Sequence, residues 1–368
     1  MYKILLVTVS IIAITLSSCK KNEINDDPSV LGQVVYMDYK NDSTTQIILQ
    51  NVDGTGRTVL VQSGLNYLTS KVYYRKFVYV TTRNNMESIY LYDLNNNSTT
   101  KVYEDNTTKY ISLSQLSPTA DKVIFNLSGK MCTINIDGTN FKTYNDYDIR
   151  ELQPIITTDG QNIIFAVNID DDCLSNQRYL YNLNMQTNSV ILLDSFVPFL
   201  LDNQVRLSEK NNKLLYDKNT IRCSLGTVNY NKWSLGVVNL NGGNQDDLFT
   251  WDDFDAGNYF VESTWNNNGN KIAAINNEEL IMMNADGNNK TILTSLSDNR
   301  IQFLMYIGEA LPIDWSADDK NILTVETDET KYYICIINTE TKVRTDIFSR
   351  NIDDVNFDDF MVRVAYVK

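Results

Sequence analysis

The sequence contains no histidine. That absence removes the imidazole base of most nucleophilic triads and the commonest metal ligand together. Proline is scarce, with 5 copies in 368 residues, and glycine is sparse at 15. Positive charge is in deficit as well, because 32 Lys and Arg stand against 46 Asp and Glu, for a net charge of −14. Binding a phosphate backbone needs clustered Lys and Arg, so nucleic acid is excluded as an expected partner. No Gly-x-Ser-x-Gly elbow, Gly-x-x-x-x-Gly-Lys loop or Gly-x-Gly-x-x-Gly fingerprint occurs. The marks of serine hydrolases, P-loop proteins and dinucleotide enzymes are therefore missing, and no cofactor is expected.

The 5 cysteines include no Cys-x-x-Cys pair, which argues against a zinc knuckle or a redox motif. Cys132 and Cys335 lie in strand-like apolar runs and read as buried thiols. Cys173 and Cys223 lie in loop-like polar stretches, and whether they pair is left open.

Asparagine is abundant instead, with 45 copies, and tyrosine follows with 22. Asn tolerates turn geometry and Tyr favours strands, so the mixture predicts many short strands joined by tight turns. A strand ending in Asn or Asp, followed by a turn, recurs seven times. Aligned on Asn51, Asp93, Asn135, Asn182, Asn239, Asn284 and Asn338, the copies lie 42 to 57 residues apart. Between them runs a second pattern: a small polar turn, then Lys or Asn, then an apolar strand. It is clear at Ser117–Phe125, Thr158–Phe165, Ser208–Tyr216, Trp265–Ala273 and Trp315–Leu323. Degraded copies occur at Lys76–Val80 and Phe357–Val362.

Together these form a unit of three to four antiparallel strands, about 48 residues long, within the range of propeller blades. The paired motifs resemble the blade repeat of TolB-type (WD40-like) β-propellers over residues 33 to 368. The resemblance implies an all-β propeller, with seven four-stranded blades as the leading count and six or eight as alternatives. A tandem of sandwiches or an irregular solenoid is the bland alternative. The first unit lacks an inner strand and the last segment, 351 to 368, reads as a half-unit, so the C-terminus is expected to close the ring. Trp265 and Trp315, just before the turn motif, read as packing between blades. The aspartates at Asp53, Asp137, Asp159 and Asp286 read as turn residues.

The N-terminus reads as an address. Lys3 precedes a 13-residue apolar run, Ile4 to Leu16, too short for a membrane span of roughly 20 residues. It ends at Leu16-Ser17-Ser18-Cys19, which resembles the bacterial lipobox. That resemblance implies a signal peptide over 1–18, lipidation of Cys19, a tether over 19–32 and a membrane partner held through the lipid. An ordinary signal peptide with a chance Cys is the alternative. Lys20, where an Asp would retain a lipoprotein at the inner membrane, favours the outer membrane, facing either the periplasm or the cell surface.

Four long segments interrupt the second half: 168–179, 218–234, 249–262 and 296–312. The first two lie between the second and third strands of a blade, and the others link blades. In a propeller both kinds emerge on one face, and loops on a rigid scaffold commonly carry function. The candidate binding residues there are Asp170, Asp171, Asp172, Arg178, Tyr230, Trp233, Trp251, Asp253, Asp255 and Tyr259. Aromatic and acidic side chains side by side suit an envelope protein or a polysaccharide, and the expectation is binding without catalysis. The alternative is a glycoside hydrolase using two loop carboxylates. Asp253-x-Asp255-x-Gly257 faintly resembles a calcium loop, but Thr264 stands where the closing Glu belongs, so no metal is expected.

Overall fold

The Asn and Asp steps of the first repeat pattern build one turn over and over. At the first copy the Asn51 N–H donates to the Thr55 carbonyl at 3.0 Å, and the Gly54 N–H donates to the Asn51 carbonyl at 2.9 Å. Gly54 sits at φ 81°, a conformation that strains any side chain. Asp53 Oδ1 accepts from the Thr55 N–H at 2.9 Å and from its hydroxyl at 2.6 Å. Those two donors, the hydroxyl first, hold the Asp53 carboxyl below the usual carboxylate range. Asp137 with Thr139 and Asp286 with Asn288 repeat the closure. Asp159 does the same work in the other turn, accepting from the Gln161 N–H at 2.9 Å. These aspartates are turn chemistry, as the sequence predicts.

The computed structural model describes residues 32–38, 45–62, 65–68, 71–84, 86–105, 110–148, 154–168, 178–196, 205–208, 210–224, 227–251, 260–276, 279–294, 301–302, 313–328, 330–351 and 364–367. Among them every regular element is a β-strand and none is a helix. Blade 1 holds β1 (Gln33–Asp38), β2 (Gln46–Asn51) and β3 (Thr58–Gln62). Blade 2 holds β4 (Leu65–Leu68), β5 (Lys76–Arg83), β6 (Met86–Asp93) and β7 (Ser98–Asp105). Blade 3 holds β8 (Ile111–Leu116), β9 (Lys122–Leu127), β10 (Lys130–Asn135) and β11 (Lys142–Asp148). Blade 4 holds β12 (Ile155–Ile156), β13 (Asn162–Asn168), β14 (Arg178–Asn184) and β15 (Val190–Phe196). Blade 5 holds β16 (Arg206–Ser208), β17 (Lys213–Ser224), β18 (Thr227–Asn239) and β19 (Asp246–Trp251). Blade 6 holds β20 (Phe260–Trp265), β21 (Lys271–Asn276), β22 (Glu279–Asn284) and β23 (Thr291–Thr294). Blade 7 holds β24 (Ile301–Gln302), β25 (Asp314–Trp315), β26 (Asn321–Thr327), β27 (Lys331–Asn338) and β28 (Arg344–Asn351). The last strand, β29 (Val364–Tyr366), returns to blade 1.

That return closes the ring. The first sheet runs β29-β1-β2-β3, with Val34 opposite Tyr366 and Tyr36 opposite Val364. The chain is therefore a seven-bladed β-propeller in which the C-terminal segment supplies the missing inner strand of the first blade. The Phe357–Val362 motif copy falls outside the described residues, and the closing strand lies just beyond it.

Blades meet through apolar faces. Separate buried clusters join blades 1 and 2, 2 and 3, 3 and 4, 4 and 5, and 5 and 6. The largest joins blades 6, 7 and 1 across the closure. Trp265 (6% exposed) packs in the junction of blades 5 and 6, and Trp315 (0%) in the closure cluster, as expected of blade-packing residues. Cys132 and Cys335 are buried thiols. The outermost strand of all seven blades carries a register shift against its neighbour. Bulged, twisted edges resist pairing with foreign strands, so the ring guards its rim by geometry.

Two sequence expectations need correction. The blade-4 copy of the repeat anchors on Asn184, which pairs with Asn162 as Asn135 pairs with Lys122, and not on Asn182. A two-residue slip keeps every side chain on its face, so the apolar pattern cannot detect it. The segment 296–312 is not only a link between blades. Ile301 and Gln302 pair with Thr327 and Glu326, while Asp314 and Trp315 pair with Leu323 and Ile322. Blade 7 thus has its inner strand in two pieces, with an insertion between them.

Candidate functional site

Of the four long segments, one lies almost wholly among the described residues, and it is not a loop. Residues 218–234, read from sequence as a loop, form the far half of the β17–β18 hairpin. Its register runs without a break in pairing from Lys213 opposite Asn239 to Ser224 opposite Thr227, with one bulge between Thr220 and Ile221. Cys223 is correspondingly a strand residue opposite Val228, where the sequence reading put it in a loop. The two strands have 12 and 13 residues. Their counterparts in the other six blades have 6 to 8. At about 3.3 Å per residue, the surplus makes these strands roughly 13–20 Å longer than their counterparts.

The base of this hairpin is held from the neighbouring blade. Leu214 and Leu215 are buried, and the Tyr216 hydroxyl donates to Asp194 of β15. Burial first, and then the Asp194 charge, push the Tyr216 hydroxyl well above its ordinary pKa, so it stays a donor. Asn182 Nδ2 donates to the Leu240 carbonyl at 2.8 Å, and Gln245 Nε2 to the Leu193 carbonyl at 2.6 Å. Blades 4 and 5 are therefore fixed to each other beneath the projection. Beyond the base, β19 pairs with β18 only as far as Trp233, and β16 pairs with β17 only over Lys213–Leu215. The distal strands pair with each other alone among the described residues.

The candidates fall into two groups. Trp233 stands opposite both Asn219 and Trp251, so the register brings the two loop tryptophans together at the root of the projection. Tyr230 stands opposite Ile221 further out. Arg178 opens β14 of blade 4, opposite Asn168 and Phe196 of the same blade. Asp170, Asp171, Asp172, Asp253, Asp255 and Tyr259 lie outside the described residues, as do Cys19 and the whole of 1–31. The carboxylates required by a glycoside hydrolase reading, and the faint calcium loop, fall in that group. Among the described residues no three His, Cys, Asp or Glu side chains cluster as metal ligands would.

Charged pairs missed by the sequence reading brace this architecture. Arg206 of β16 donates through Nε at 2.8 Å and through Nη2 to Glu262 Oε1 of β20, joining the inner strands of blades 5 and 6. Asp38, fully buried at the end of β1, holds Arg57 of its own blade and Arg350 of β28, both at 2.7 Å. Near it, Tyr36 donates to Gln50 at 2.6 Å, and burial pushes the Tyr36 hydroxyl up to about 12. These partners are far apart in the chain, and only ring closure brings Asp38 to Arg350.

No family model matches this chain, and no curated protein does. Solved structures do. TolB from Acinetobacter baumannii is similar at 12% identity and a TM-score of 0.52, over 92% of this chain and 68% of that one. An oligogalacturonate lyase in complex with manganese is similar at 12% identity and a TM-score of 0.55, over 85% of this chain and 84% of the lyase. An acylaminoacyl peptidase is similar at 10% identity and a TM-score of 0.60, but this chain spans only 50% of it. Enzymes stand among these neighbours beside TolB, so the architecture alone does not decide for catalysis. What the likeness establishes is the fold: this chain is a seven-bladed β-propeller, similar in fold to TolB.

Proposed function

We propose that the chain is a lipid-anchored cell-envelope propeller that binds another envelope protein through the face carrying the β17–β18 projection, without transforming it. The observation that carries this reading is the projection itself. A two-stranded ribbon is marginal in water, because it has little to bury. Its base is nevertheless braced by Tyr216, Asp194, Asn182 and Gln245. Strand edges that no described strand pairs favour a protein, which can add a strand to them. A polysaccharide is the second reading, favoured by the Trp233, Trp251 and Tyr230 register positions, since rings of this kind stack on sugars. The lipobox-like Leu16–Cys19 supports the anchoring, and Lys20 supports the outer-membrane address.

The test compares Trp233→Ala and Trp251→Ala with wild type. A good aromatic anchor is worth about 2 kcal/mol, so each variant is expected to weaken capture of the partner roughly 30-fold. Capture from solubilised envelopes, repeated on isolated envelope polysaccharide, assigns the partner class. Equal capture by both variants and wild type would sink the reading.

A further inference from the structure

The N-terminal segment enters the ring at the end opposite the β17–β18 projection. In every blade the backbone N–H just after the third strand donates to the carbonyl just before the second. Leu94 to Arg75, Ile136 to Asp121 and Thr339 to Lys320 make this bond in blades 2, 3 and 7, and Val52 to Gly32 makes it in blade 1. Gly32 therefore occupies the last position of a short turn. Short turns lie at the far end of each blade from the link between its second and third strands. Cys19 is thirteen residues further back. A coil of that length averages roughly 20 Å, about the length of the six-residue strand β1 at about 3.3 Å per residue. A lipid on Cys19 is thus held near the entry end, and reaching the projecting end needs a tether stretched well beyond that average.

Exposed apolar side chains gather toward the same end. Eight large ones are exposed among the described residues, and only Tyr110 of these lies at the projecting end. The other seven stand in a short turn, or at or next to the first three residues of an outer strand. Three of them occupy successive blades beside the chain entry: Ile292 (47%) in blade 6, Val343 (60%) in blade 7 and Val59 (42%) in blade 1. Single exposed apolar residues are ordinary, but a run of them along one rim marks an interaction surface. Blade 7 adds two exposed lysines, Lys342 directly before Val343 and Lys320 in the short turn. Beside Lys320, Asp318 accepts from the Ser316 hydroxyl at 2.6 Å, and Asp319 accepts from the Asn266, Asn267 and Asn268 side chains. Glu340 is the exposed acid of the outer turn. Lysine next to exposed aliphatic groups suits a phospholipid surface, where the ammonium meets phosphate and the aliphatic groups enter the acyl boundary.

We propose that this rim, Ile292, Val343 and Val59 with Lys320 and Lys342, rests on the phospholipid surface that holds the anchor, so that the projection points away from the membrane. The proposal rests on the anchoring read from Leu16–Cys19, but its test does not. A histidine tag in place of residues 1–19 holds the chain, which has no histidine of its own, on vesicles of phosphatidylcholine, phosphatidylglycerol and a nickel-chelating lipid. Bromine on the acyl chains quenches tryptophan that enters them. Over a wild-type baseline in which Trp265 and Trp315 are buried, Val343→Trp should add emission quenched roughly threefold or more beyond that added by Tyr110→Trp at the other end. Val59→Asp and Ile292→Asp, added to Val343→Trp, should bring its quenching down to the Tyr110→Trp level. Equal quenching of the two tryptophan variants, or quenching that survives both aspartates, would overturn the rim. No quenching, together with a dimer on a sizing column, would assign the rim to a second copy of the chain and overturn the proposal as well. The two tryptophan variants decide the matter even if the aspartate variant fails to fold. A Cys19 that proves unacylated would end the anchoring reading and leave the vesicle result standing.

Discussion

Ending the chain at Arg363 removes β29, and the structure says how much is lost. Val364, Ala365, Tyr366 and Val367 are 1%, 1%, 2% and 2% exposed. Burying each of the three larger side chains contributes about 1.5–3 kcal/mol, so roughly 5–9 kcal/mol disappears with them, as an upper estimate. Backbone bonds go too: three ladder pairs with β1, the Val367 N–H to Gln33 at 3.0 Å, and the Tyr366 N–H to Asp314 at 3.1 Å. Val34, Val35 and Tyr36, fully buried in the intact ring, would face water along an open edge. Domains are stable by only about 5–15 kcal/mol, so the loss is comparable to the whole. The truncated protein should aggregate or unfold, and Tyr366→Ala should show a partial form of the defect, losing about 3–5 kcal/mol. Light scattering on a sizing column and thermal melting by circular dichroism read both. A monodisperse monomer with a wild-type melting temperature would show that the ring closes some other way.

Three further outcomes are expected. Cys19→Ala should move the protein out of the membrane fraction or leave it unprocessed, and acylated, membrane-bound Cys19→Ala protein would end the lipoprotein proposal. Trp265→Ala and Trp315→Ala should each cost about 3–5 kcal/mol in denaturant melts, while Trp233→Ala and Trp251→Ala leave stability nearly unchanged. Stability should fall at both pH extremes. Asp53, Asp137 and Asp286 have lowered carboxyl pKa values, so their contribution is present above the unfolded value of about 3.9 and is lost as pH falls below it. Tyr36 and Tyr103, both pushed by burial up to about 12, oppose ionisation in the fold, so stability declines as pH rises above the unfolded value of about 10. Ultraviolet titration should find tyrosines that resist ionisation past pH 11; if all ionise together near 10, these burials are wrong.

The architecture was legible because each blade repeats its turn chemistry. Asn51, Asn135 and Asn284 with their Asp-Gly steps mark the same hairpin in blades 1, 3 and 6, and turn residues are local signals. Ring closure was legible for a similar reason, since an incomplete first unit needs a strand from elsewhere. The projection was hidden by its composition. Asn219, Asn229 and Asn231 read as loop, and strands outside a core need no strong apolar alternation. A weak signal was available: Ile221 and Cys223 alternate, as do Val228 and Tyr230, and the register pairs Ile221 with Tyr230 and Cys223 with Val228. The Arg206–Glu262 and Asp38–Arg350 pairs had no sequence signal, because packing of one blade on the next brings the first together and ring closure the second.

Shortening the projection tests the binding claim most directly. Lys218 and Ser234 are paired across the hairpin, so residues 219–233 can be replaced by an Asn-Gly turn that rejoins the ladder at blade height. The packed base at Leu214, Leu215 and Tyr216 stays in place, so the melting temperature should remain close to wild type. Quantitative capture from solubilised envelopes should lose the partner that the wild-type protein retains. Undiminished capture by a folded, shortened protein would contradict the claim that this projection is the working face.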